Sequence, residues 1–294
     1  MKCSKCKNKA VFLSPNYCKE HFIEYFEKKA IKTISNCRLF DKKDRIAVAS
    51  SGGKDSVALL YVLKKYGYDI EAIAIDEGIK GYRDKTIKDL KKFCNEQDIR
   101  LSIYSFKEEF GMNLDKMIKK HKQKPCTICG IFRRYLLNEK SKCFDALATG
   151  HNLDDEVQSV MMNLFRNTLE ANARLGPKTG LVKDKRFVQR VKPFYMLTEK
   201  ETKTYAFLKG FDVMFTECPY VPLSFRAGVR DFLNEQEQAV PGSKVNVINS
   251  FLKMLPDMKK RFATDERIKA CRRCRAPSQK ELCKACLLLE ELKL

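Results

Sequence analysis

The segment Ser51-Gly-Gly-Lys-Asp-Ser56 constrains the fold of this chain more than any other part of its sequence. It joins an apolar stretch at 45–50, which predicts a buried strand, to an apolar stretch at 57–65, which predicts a helix. A strand-to-helix turn presents backbone N–H groups and the positive end of a helix dipole, and these bind phosphate. The glycines let an anion approach the main chain, while Ser51 and Ser56 add hydroxyl donors.

This loop is not the Walker-type phosphate loop, which requires Gly-x-x-x-x-Gly-Lys followed by Ser or Thr. The loop here is shorter, and an acidic residue, Asp55, follows Lys54. We expect Asp55 to hold Mg²⁺ or to orient the loop.

Strand and helix patterns alternate along the rest of the chain, which predicts an α/β fold with a parallel sheet and helices on both faces. Further strands are predicted at 70–76, 101–106, 145–149 and 188–193. Helices are predicted at 21–37, 84–96, 114–121, 128–138, from 154 onward, at 199–209 and over 225–262.

Composition indicates an intracellular protein with a polyanionic partner. The 294 residues can bury a core without disulfides, and no apolar run approaches the length of a membrane-spanning helix. The N-terminal segment lacks the apolar core of a signal peptide, so we expect a cytoplasmic protein without a membrane partner. Lys and Arg number 58 against 37 Asp and Glu, a net charge of +21, which favours binding to nucleic acid.

Eight of the metal-binding side chains fall into two groups with the spacing of structural zinc sites. The first group is Cys3, Cys6, Cys18 and His21; the second is Cys271, Cys274, Cys283 and Cys286. The segments between the paired ligands are too short to bury a core, so we expect each metal to fold its own segment. Basic residues surround the second group, which fits either a contact with nucleic acid or a stabilising clip.

Three of the remaining cysteines form a second kind of pattern. Cys126 and Cys129 share a Cys-x-x-Cys motif, and Cys218 precedes a proline, as iron–sulfur ligands often do. Three thiolates suit a cluster or metal with an open coordination position, but a redox disulfide pair or three inert core thiols fit the spacing as well. Cys37, Cys94 and Cys143 are expected to be ordinary buried thiols.

Taken together, these motifs give the chain a resemblance to a known superfamily. The Ser-Gly-Gly-Lys-Asp-Ser loop after a buried strand resembles the loop of the N-type ATP pyrophosphatases. The Cys-x-x-Cys, the distant Cys-Pro, the Gly-His-Asn-Leu-Asp-Asp-Glu stretch at 150–156 and the flanking zinc patterns are similar to those of the tRNA 2-thiolation enzymes. The TtuA-like 2-thiouridine synthetases of archaea and thermophilic bacteria are nearest, and the 2-thiocytidine (TtcA-like) enzymes stand a step further away.

The resemblance implies a Rossmann-like catalytic domain with two zinc modules and a set of site residues. It implies an N-terminal zinc finger at 1–23, a basic linker helix at 24–44, the catalytic domain with its iron–sulfur site at 45–262 and a C-terminal zinc finger at 263–294. It implies that a [4Fe–4S] cluster is held by Cys126, Cys129 and Cys218. The residues that it implies for ATP are Ala49, Ser51, Gly52, Gly53, Lys54, Asp55, Ser56, Ile75, Arg133 and Gly150. Asp155 is the implied acidic residue near Mg²⁺, and His151 is either a base or a residue that orders the turn.

The implied reaction is the conversion of a C2 carbonyl of tRNA uridine, at position 34 or 54, to a thiocarbonyl. ATP adenylates the oxygen, and sulfur displaces AMP, either from the cluster or from a persulfide on Cys126 or Cys218. The implied partners are tRNA, ATP and a sulfur donor, either sulfide or a ubiquitin-like thiocarboxylate carrier, and the implied assembly is a homodimer. Alternatives are 2-thiocytidine synthesis, a lysidine-type or amide-forming ATP pyrophosphatase, and a non-enzymatic zinc-ribbon RNA-binding protein.

Overall fold

In a computed structural model, a five-stranded parallel sheet with strand order β3-β2-β1-β4-β5 forms the centre of the protein. The structure describes residues 1–181, 184, 186–213, 217–263 and 268–294, without the side chain of residue 223. The strands are β1 (Arg45–Ala49), β2 (Asp69–Asp76), β3 (Arg100–Ser105), β4 (Ala146–Thr149) and β5 (Gln189–Val191). A separate two-stranded ribbon pairs β6 (Lys269–Ala270) with β7 (Pro277–Ser278) near the C-terminus.

Helices connect the strands and cover both faces of the sheet, so the predicted α/β fold is confirmed. The first six are α1 (Lys19–Asn36), α2 (Lys54–Lys65), α3 (Arg83–Glu96), α4 (Phe106–Phe110), α5 (Leu114–Lys120) and α6 (Pro125–Lys140). Further along the described chain lie α7 (Leu153–Phe165), α8 (Leu169–Ala173), α9 (Glu199–Leu208), α10 (Phe225–Ala239), α11 (Ser243–Phe262) and α12 (Lys284–Glu291), and a 3-10 turn spans Val221–Leu223.

Alternate residues of each strand point to opposite faces, and this divides the core into two layers. Ile46 and Val48 of β1 point towards α1, α2 and α9, a side that we call the α2 face. Ala47, between them, points towards α5 and α6, which we call the α6 face. The C-terminal module packs on the α6 face through α12, so both ends of the chain contribute to the core.

Helix α1 is part of the α2 face, while the division of the chain that assigns 24–44 to a basic linker helix stays a prediction. Phe22, Phe26, Ala30 and Ile34 recur every four residues and are all buried, so they form one apolar stripe. Phe26 stacks on Tyr205 of α9 with ring centroids 4.1 Å apart. The helix therefore closes this face of the core.

The region predicted as helical over 225–262 is two helices that pack with α7 into a third apolar cluster. The break falls at residues 240–242, where Gly242 has a φ of 92°. This left-handed conformation is easily reached by glycine and reverses the chain direction. Val229 of α10 and Phe251 of α11 pack with Val157 of α7.

None of the helices in the described part of the chain combines the length and apolar character that crossing a membrane requires.

We predict that Phe26→Ala lowers the free energy of unfolding by about 3–5 kcal/mol, because it leaves a cavity between α1 and α9. Chemical denaturation of the full chain measures the change. Phe207→Ala on α9 is the matched control, since Phe207 is 75% exposed and its loss opens no cavity. Equal small effects of the two substitutions would contradict the placement of α1 in the core.

Candidate functional site

The site lies at the edge where the parallel strands end. The chain builds outward from β1 through β2 to β3, and then continues on the other side of β1 with β4 and β5. In open α/β sheets, ligands bind outside the carboxyl ends of the strands at such a reversal. Ala49 ends β1, Ile75 is the penultimate residue of β2 and Gly150 follows β4, so all three lie at this edge.

Packing against α3 and the sheet fixes the main chain of the phosphate loop. Ser50 is buried, and its hydroxyl donates to the Val48 carbonyl oxygen at 2.9 Å. Gly52 has a φ of 80°, and a Cβ atom there would lie 2.4 Å from the Thr86 carbonyl oxygen. A side chain at position 52 would therefore displace the loop from α3.

The two loop serines meet at the N-terminus of α2. The Ser56 hydroxyl donates to the Gly53 carbonyl oxygen at 2.9 Å, and the Gly53 N–H donates to the Ser51 hydroxyl at 3.3 Å. The two hydroxyl oxygens are 3.4 Å apart. Hydroxyl groups and a helix N-terminus in one place form a setting suited to phosphate oxygens.

Lys54 lies between two carboxylates at the mouth of this loop. Its Nζ atom is 2.9 Å from Asp55 Oδ2 and 3.1 Å from Glu199 Oε1, at the start of α9. Burial disfavours the charged amine, but the two carboxylates outweigh burial and raise the pKa of Lys54. The lysine is therefore a fixed positive charge that can exchange its carboxylate partners for phosphate.

Asp55 connects the phosphate loop to the segment after β4. Asn152 donates its amide Nδ2–H to Asp55 Oδ1 at 3.2 Å. Gly150 lies so close that a Cβ atom there would be 2.9 Å from the Asp55 carbonyl carbon. Burial raises the pKa of the Asp55 carboxyl group, against the opposing charge of Lys54.

We call the region between the phosphate loop and the N-terminus of α7 the cleft, and Asp155 is held in place there by the first turn of α7. It forms a capping box with Asn152, in which each side chain accepts a hydrogen bond from the backbone N–H of the other. Desolvation in the cleft raises the pKa of Asp155 to about 7. The positive charge of Arg226, whose Nη1 atom is 3.7 Å from Asp155 Oδ1, acts against this rise. Asp55 and Asp155 therefore offer two carboxylates beside the phosphate loop, a donor set that suits Mg²⁺.

His151 lies at the mouth of the same cleft, where its Nδ1 atom is 2.8 Å from the Thr149 hydroxyl oxygen. Desolvation within the cleft, together with the positive charges of Lys192 and Arg226, lowers its pKa to about 3. The imidazole is therefore neutral at physiological pH.

Helix α6 places the paired cysteines at its first turn. It begins at Pro125, three residues earlier than predicted, since proline is well suited to the first helical position. Cys126 Sγ lies 3.7 Å from the carbonyl oxygen of Tyr220, which brings the Cys218 segment against this turn. Cys129 and Cys218 both pack against the apolar cluster of the α6 face.

The donor set of the three cysteines fits an iron–sulfur cluster. Burial raises the pKa of the Cys129 thiol to about 12 and also raises that of Cys218, whereas Cys126 is exposed. Among the described residues, the three sulfurs do not all lie within 4.8 Å of one another, whereas the ligand atoms of each zinc-type group do. Cys126 and Cys218 nevertheless act electrostatically on the Cys129 thiol, so the three thiols are neighbours, and thiolates are the usual ligands of an iron–sulfur cluster.

A chain of charged groups, with Arg83 and Glu77 buried and Arg133 exposed, joins the phosphate loop to the cysteine helix. Arg83, which is 3% exposed, donates through Nε to the Ile75 carbonyl oxygen at 3.0 Å and through Nη1 to the Ser51 carbonyl oxygen. The same Nε atom is 2.8 Å from the carboxylate of Glu77, which follows β2. Glu77 in turn lies 3.7 Å from Arg133 Nη1, and Cys129 and Cys218 are further neighbours of that guanidinium.

The two predicted zinc groups each come together at the ends of the chain. In both groups, the four ligand atoms lie within 4.8 Å of one another. His21 Nδ1 is 3.4 Å from Cys3 Sγ and 3.3 Å from Cys18 Sγ. Compact sets of thiols and an imidazole fit tetrahedral Zn²⁺.

Cys94 is buried as expected, but Cys37 is half-buried and Cys143 is exposed. Cys143 lies in the turn between the end of α6 and the start of β4.

Comparison with known proteins identifies the family. The model of the PP-loop domain matches residues 22–236. A tRNA-5-methyluridine(54) 2-sulfurtransferase from Pyrococcus horikoshii is 39% identical, with 97% of this chain and 93% of the relative covered. The chain belongs to the PP-loop family of tRNA 2-thiolation proteins. The predicted enzyme family is thereby confirmed.

Two further relatives extend over the whole chain. The cytoplasmic tRNA 2-thiolation protein 1 of Laccaria bicolor is 37% identical, with 99% of this chain and 85% of the relative covered. Among solved structures, the U34-tRNA thiolase NcsA from Methanococcus maripaludis with its [4Fe–4S] cluster superposes with a TM-score of 0.85. It is 34% identical, and the match covers 99% of this chain and 96% of that one. Both terminal modules are therefore included in the similarity.

Sequence reasoning did not identify four charged residues that organise the site: Glu77, Arg83, Glu199 and Arg226. The acidic pair Asp76-Glu77 directly after β2 was a usable signal, because side chains after parallel strands line the binding edge. Glu199 and Arg226 pair with residues far away in sequence, and no local pattern marks them. Arg83 pairs with nearby Glu77 but also reaches the distant carbonyl oxygen of Ser51.

We predict that Glu77→Gln lowers the free energy of unfolding by about 3 kcal/mol, because it leaves the buried guanidinium of Arg83 without its carboxylate. Chemical denaturation measures the loss. Glu71→Gln, also on β2, is the control: its partner Arg100 is 76% exposed and 3.8 Å away, so the change should stay below about 1 kcal/mol. If the free energy of unfolding falls by the same small amount in both variants, the pair of Arg83 and Glu77 does not stabilise this edge of the sheet.

Proposed function

We propose that the protein is an ATP-dependent 2-thiouridine synthetase that acts on tRNA. The observation that carries the proposal is that the phosphate loop and the three cysteines open on the same edge of the sheet, joined through Arg83, Glu77 and Arg133. An ATP-activated group and a source of sulfur can therefore meet there. The names of the relatives support tRNA as the substrate and give uridine positions 54 and 34.

The chemistry requires activation of the uracil C2 oxygen. That oxygen is a poor leaving group, so it attacks the α-phosphorus of ATP, and pyrophosphate leaves. Sulfur then forms a bond to C2, and AMP departs with the original oxygen. One ATP is thus converted to AMP and pyrophosphate for each thiocarbonyl formed.

The residues of the chain have distinct parts in the first step. We assign the β- and γ-phosphates to the hydroxyls of Ser51 and Ser56, the backbone N–H groups at Gly52 and Gly53, and Lys54. These groups stabilise the charge that develops on pyrophosphate. Asp55 and Asp155 would hold Mg²⁺, which neutralises phosphate charge when it is bound. Ala49, Ile75 and Gly150 are assigned to the walls of the nucleotide site, and Arg133 to its anionic groups.

The second step is assigned to the cysteine site. Cys126, Cys129 and Cys218 would hold a [4Fe–4S] cluster, which would leave one iron without a protein ligand and thus free to bind hydrosulfide. Arg133, four residues after Cys129 on α6, places a positive charge beside this site, where it favours an anionic sulfur nucleophile. We propose sulfide or a thiocarboxylate carrier as the donor, and a homodimer as the assembly.

The two terminal metal sites are proposed to be structural. Each set of four ligands is closed, with no open position for a substrate. Zn²⁺ at Cys3, Cys6, Cys18 and His21 would hold the N-terminal segment against α1. Zn²⁺ at Cys271, Cys274, Cys283 and Cys286 would hold the C-terminal module against α6.

The test is a reaction of anaerobically purified protein with ATP, sulfide and an unmodified tRNA transcript. Mass spectrometry of the nucleosides should detect 2-thiouridine, and digestion to oligonucleotides should locate it at position 34 or 54. AMP and 2-thiouridine should form in equal amounts. Thiolated cytidine, or ADP as the nucleotide product, would contradict the proposal.

We predict that Asp55→Ala lowers the rate of AMP release at least about 100-fold, while the affinity for tRNA stays within about twofold of the wild type. The carboxylate acts on Mg–ATP and does not belong to the basic surface. Asp69→Ala at the opposite end of the sheet is the control and should release AMP normally, since its side chain is 68% exposed. Undiminished ATP turnover in the Asp55 variant would reject the assignment.

We predict that Cys126→Ala, Cys129→Ala and Cys218→Ala each lose cluster iron and thiolation together but still bind ATP. The phosphate loop belongs to a different element, so its hydroxyls and backbone remain in place. Iron analysis and visible absorbance of anaerobic samples measure the loss. Cys37→Ala, Cys94→Ala and Cys143→Ala should keep both iron and activity, and a full cluster without Cys218 would show that the three-cysteine site is wrong.

A further inference from the structure

Two arginines beside the cysteine site have no role in the proposed reaction. Arg134 follows Arg133 on α6, and Arg190 lies on β5. Arg190 pairs in register with Leu147 of β4, and parallel partners point to the same side of a sheet. Because Leu147 belongs to the cluster of the α6 face, Arg190 also projects towards α6. The guanidinium groups of the two residues therefore share one side of the cleft.

Gly130 provides space for the guanidinium of Arg134. A Cβ atom at Gly130 would lie 3.3 Å from Arg134 Nη2 and 3.5 Å from Nη1. Long side chains on a helix lean towards its N-terminus, so the Arg134 guanidinium lies over the turn that carries Cys126 and Cys129. The positive charge is thus brought directly beside the proposed sulfur site.

Neither arginine has an acidic partner in the described ranges. The other cations of the cleft do: Arg133 faces Glu77, Lys192 pairs with Glu156 at 2.7 Å, and Arg226 faces Asp155. No carboxylate of a described residue lies within 4.0 Å of the guanidinium of Arg134 or Arg190, and neither guanidinium donates a hydrogen bond within the described chain.

The two charges repel each other in the free protein. Burial, followed by the charges of Arg134 and Arg133, lowers the pKa of Arg190 to about 10. Arg134 reaches the surface, but partial desolvation of its guanidinium and the charge of Arg133 also lower its pKa. Both groups stay charged at neutral pH, so the repulsion persists until an anion binds between them.

We propose that Arg134 and Arg190 form a phosphodiester-binding subsite that holds the tRNA backbone next to the nucleotide to be thiolated. A planar guanidinium matches phosphate oxygens with two parallel hydrogen bonds. The serines and Lys54 of the loop are assigned to the phosphates of ATP. The two arginines lie on the cysteine side of the site, where the tRNA nucleotide must approach. Backbone contacts of this kind fix the register of a nucleic acid without reading its sequence. The subsite rests on the proposed function, since it assumes a tRNA substrate.

The test is equilibrium binding of an unmodified tRNA transcript to the holoenzyme over a range of salt concentrations. Arg134→Gln and Arg190→Gln should each weaken binding about tenfold, the loss expected for one charge-assisted contact. Each should also reduce the slope of log K against log salt by about 1. Arg100→Gln is the matched control: Arg100 is 76% exposed at the opposite end of the sheet, and its loss should change neither quantity.

Three further measurements keep the outcome unambiguous. Iron content and the KM for ATP should be unchanged in both variants, because the arginines contact neither the thiols nor the loop. Arg134→Lys should recover the salt slope but only part of the affinity, since lysine keeps the charge and loses the paired hydrogen bonds. Arg134 is exposed, so its substitutions should fold even if Arg190→Gln does not.

Normal tRNA binding and normal salt slope in Arg134→Gln would overturn the subsite, and so would a raised KM for ATP with unchanged tRNA binding. These results differ from failure of the proposed function. In that case, the wild-type holoenzyme itself would form no thiouridine, whatever the binding data.

Discussion

The buried guanidinium of Arg83 is the interaction on which the arrangement of the site depends. A charge that is 3% exposed is stable only with a full set of partners, and Arg83 has the carboxylate of Glu77 and the backbone oxygens of Ser51 and Ile75. One side chain therefore fixes the phosphate loop and the end of β2 relative to each other. Through Glu77, the same charge reaches Arg133 and so the helix that carries the paired cysteines.

Much of the fold and the chemistry could be predicted because the relevant signals are local. The phosphate loop is a contiguous segment between two apolar stretches, and metal ligands separated by two residues are recognisable without any knowledge of packing. The stripe of Phe22, Phe26, Ala30 and Ile34 was also a local signal, because apolar residues spaced by four lie on one face of a helix and favour its burial. Likewise, Pro241-Gly242 marked the turn between α10 and α11.

The remainder could not be predicted because it consists of pairs formed by distant parts of the chain. Lys54 meets Glu199 across 145 residues, and Cys126 meets the carbonyl of Tyr220 across 94. Arg226 reaches Asp155 from another helix, and its own neighbourhood in the sequence gives no hint of that contact. Only the closed fold shows which carboxylate neutralises which cation, and therefore which cations remain available for a ligand.

Because both chain ends pack into the core, the segment that matches the PP-loop family model is smaller than the unit that folds. The PP-loop match stops at residue 236, inside α10, and leaves out α11 and α12. Phe251 of α11 covers Val157 of α7, and Leu288 of α12 belongs to the same cluster as Phe132 of α6. A fragment cut at 22 and 236 would expose these apolar surfaces to water and would be prone to aggregate. Work on an isolated catalytic core should therefore keep both ends of the chain.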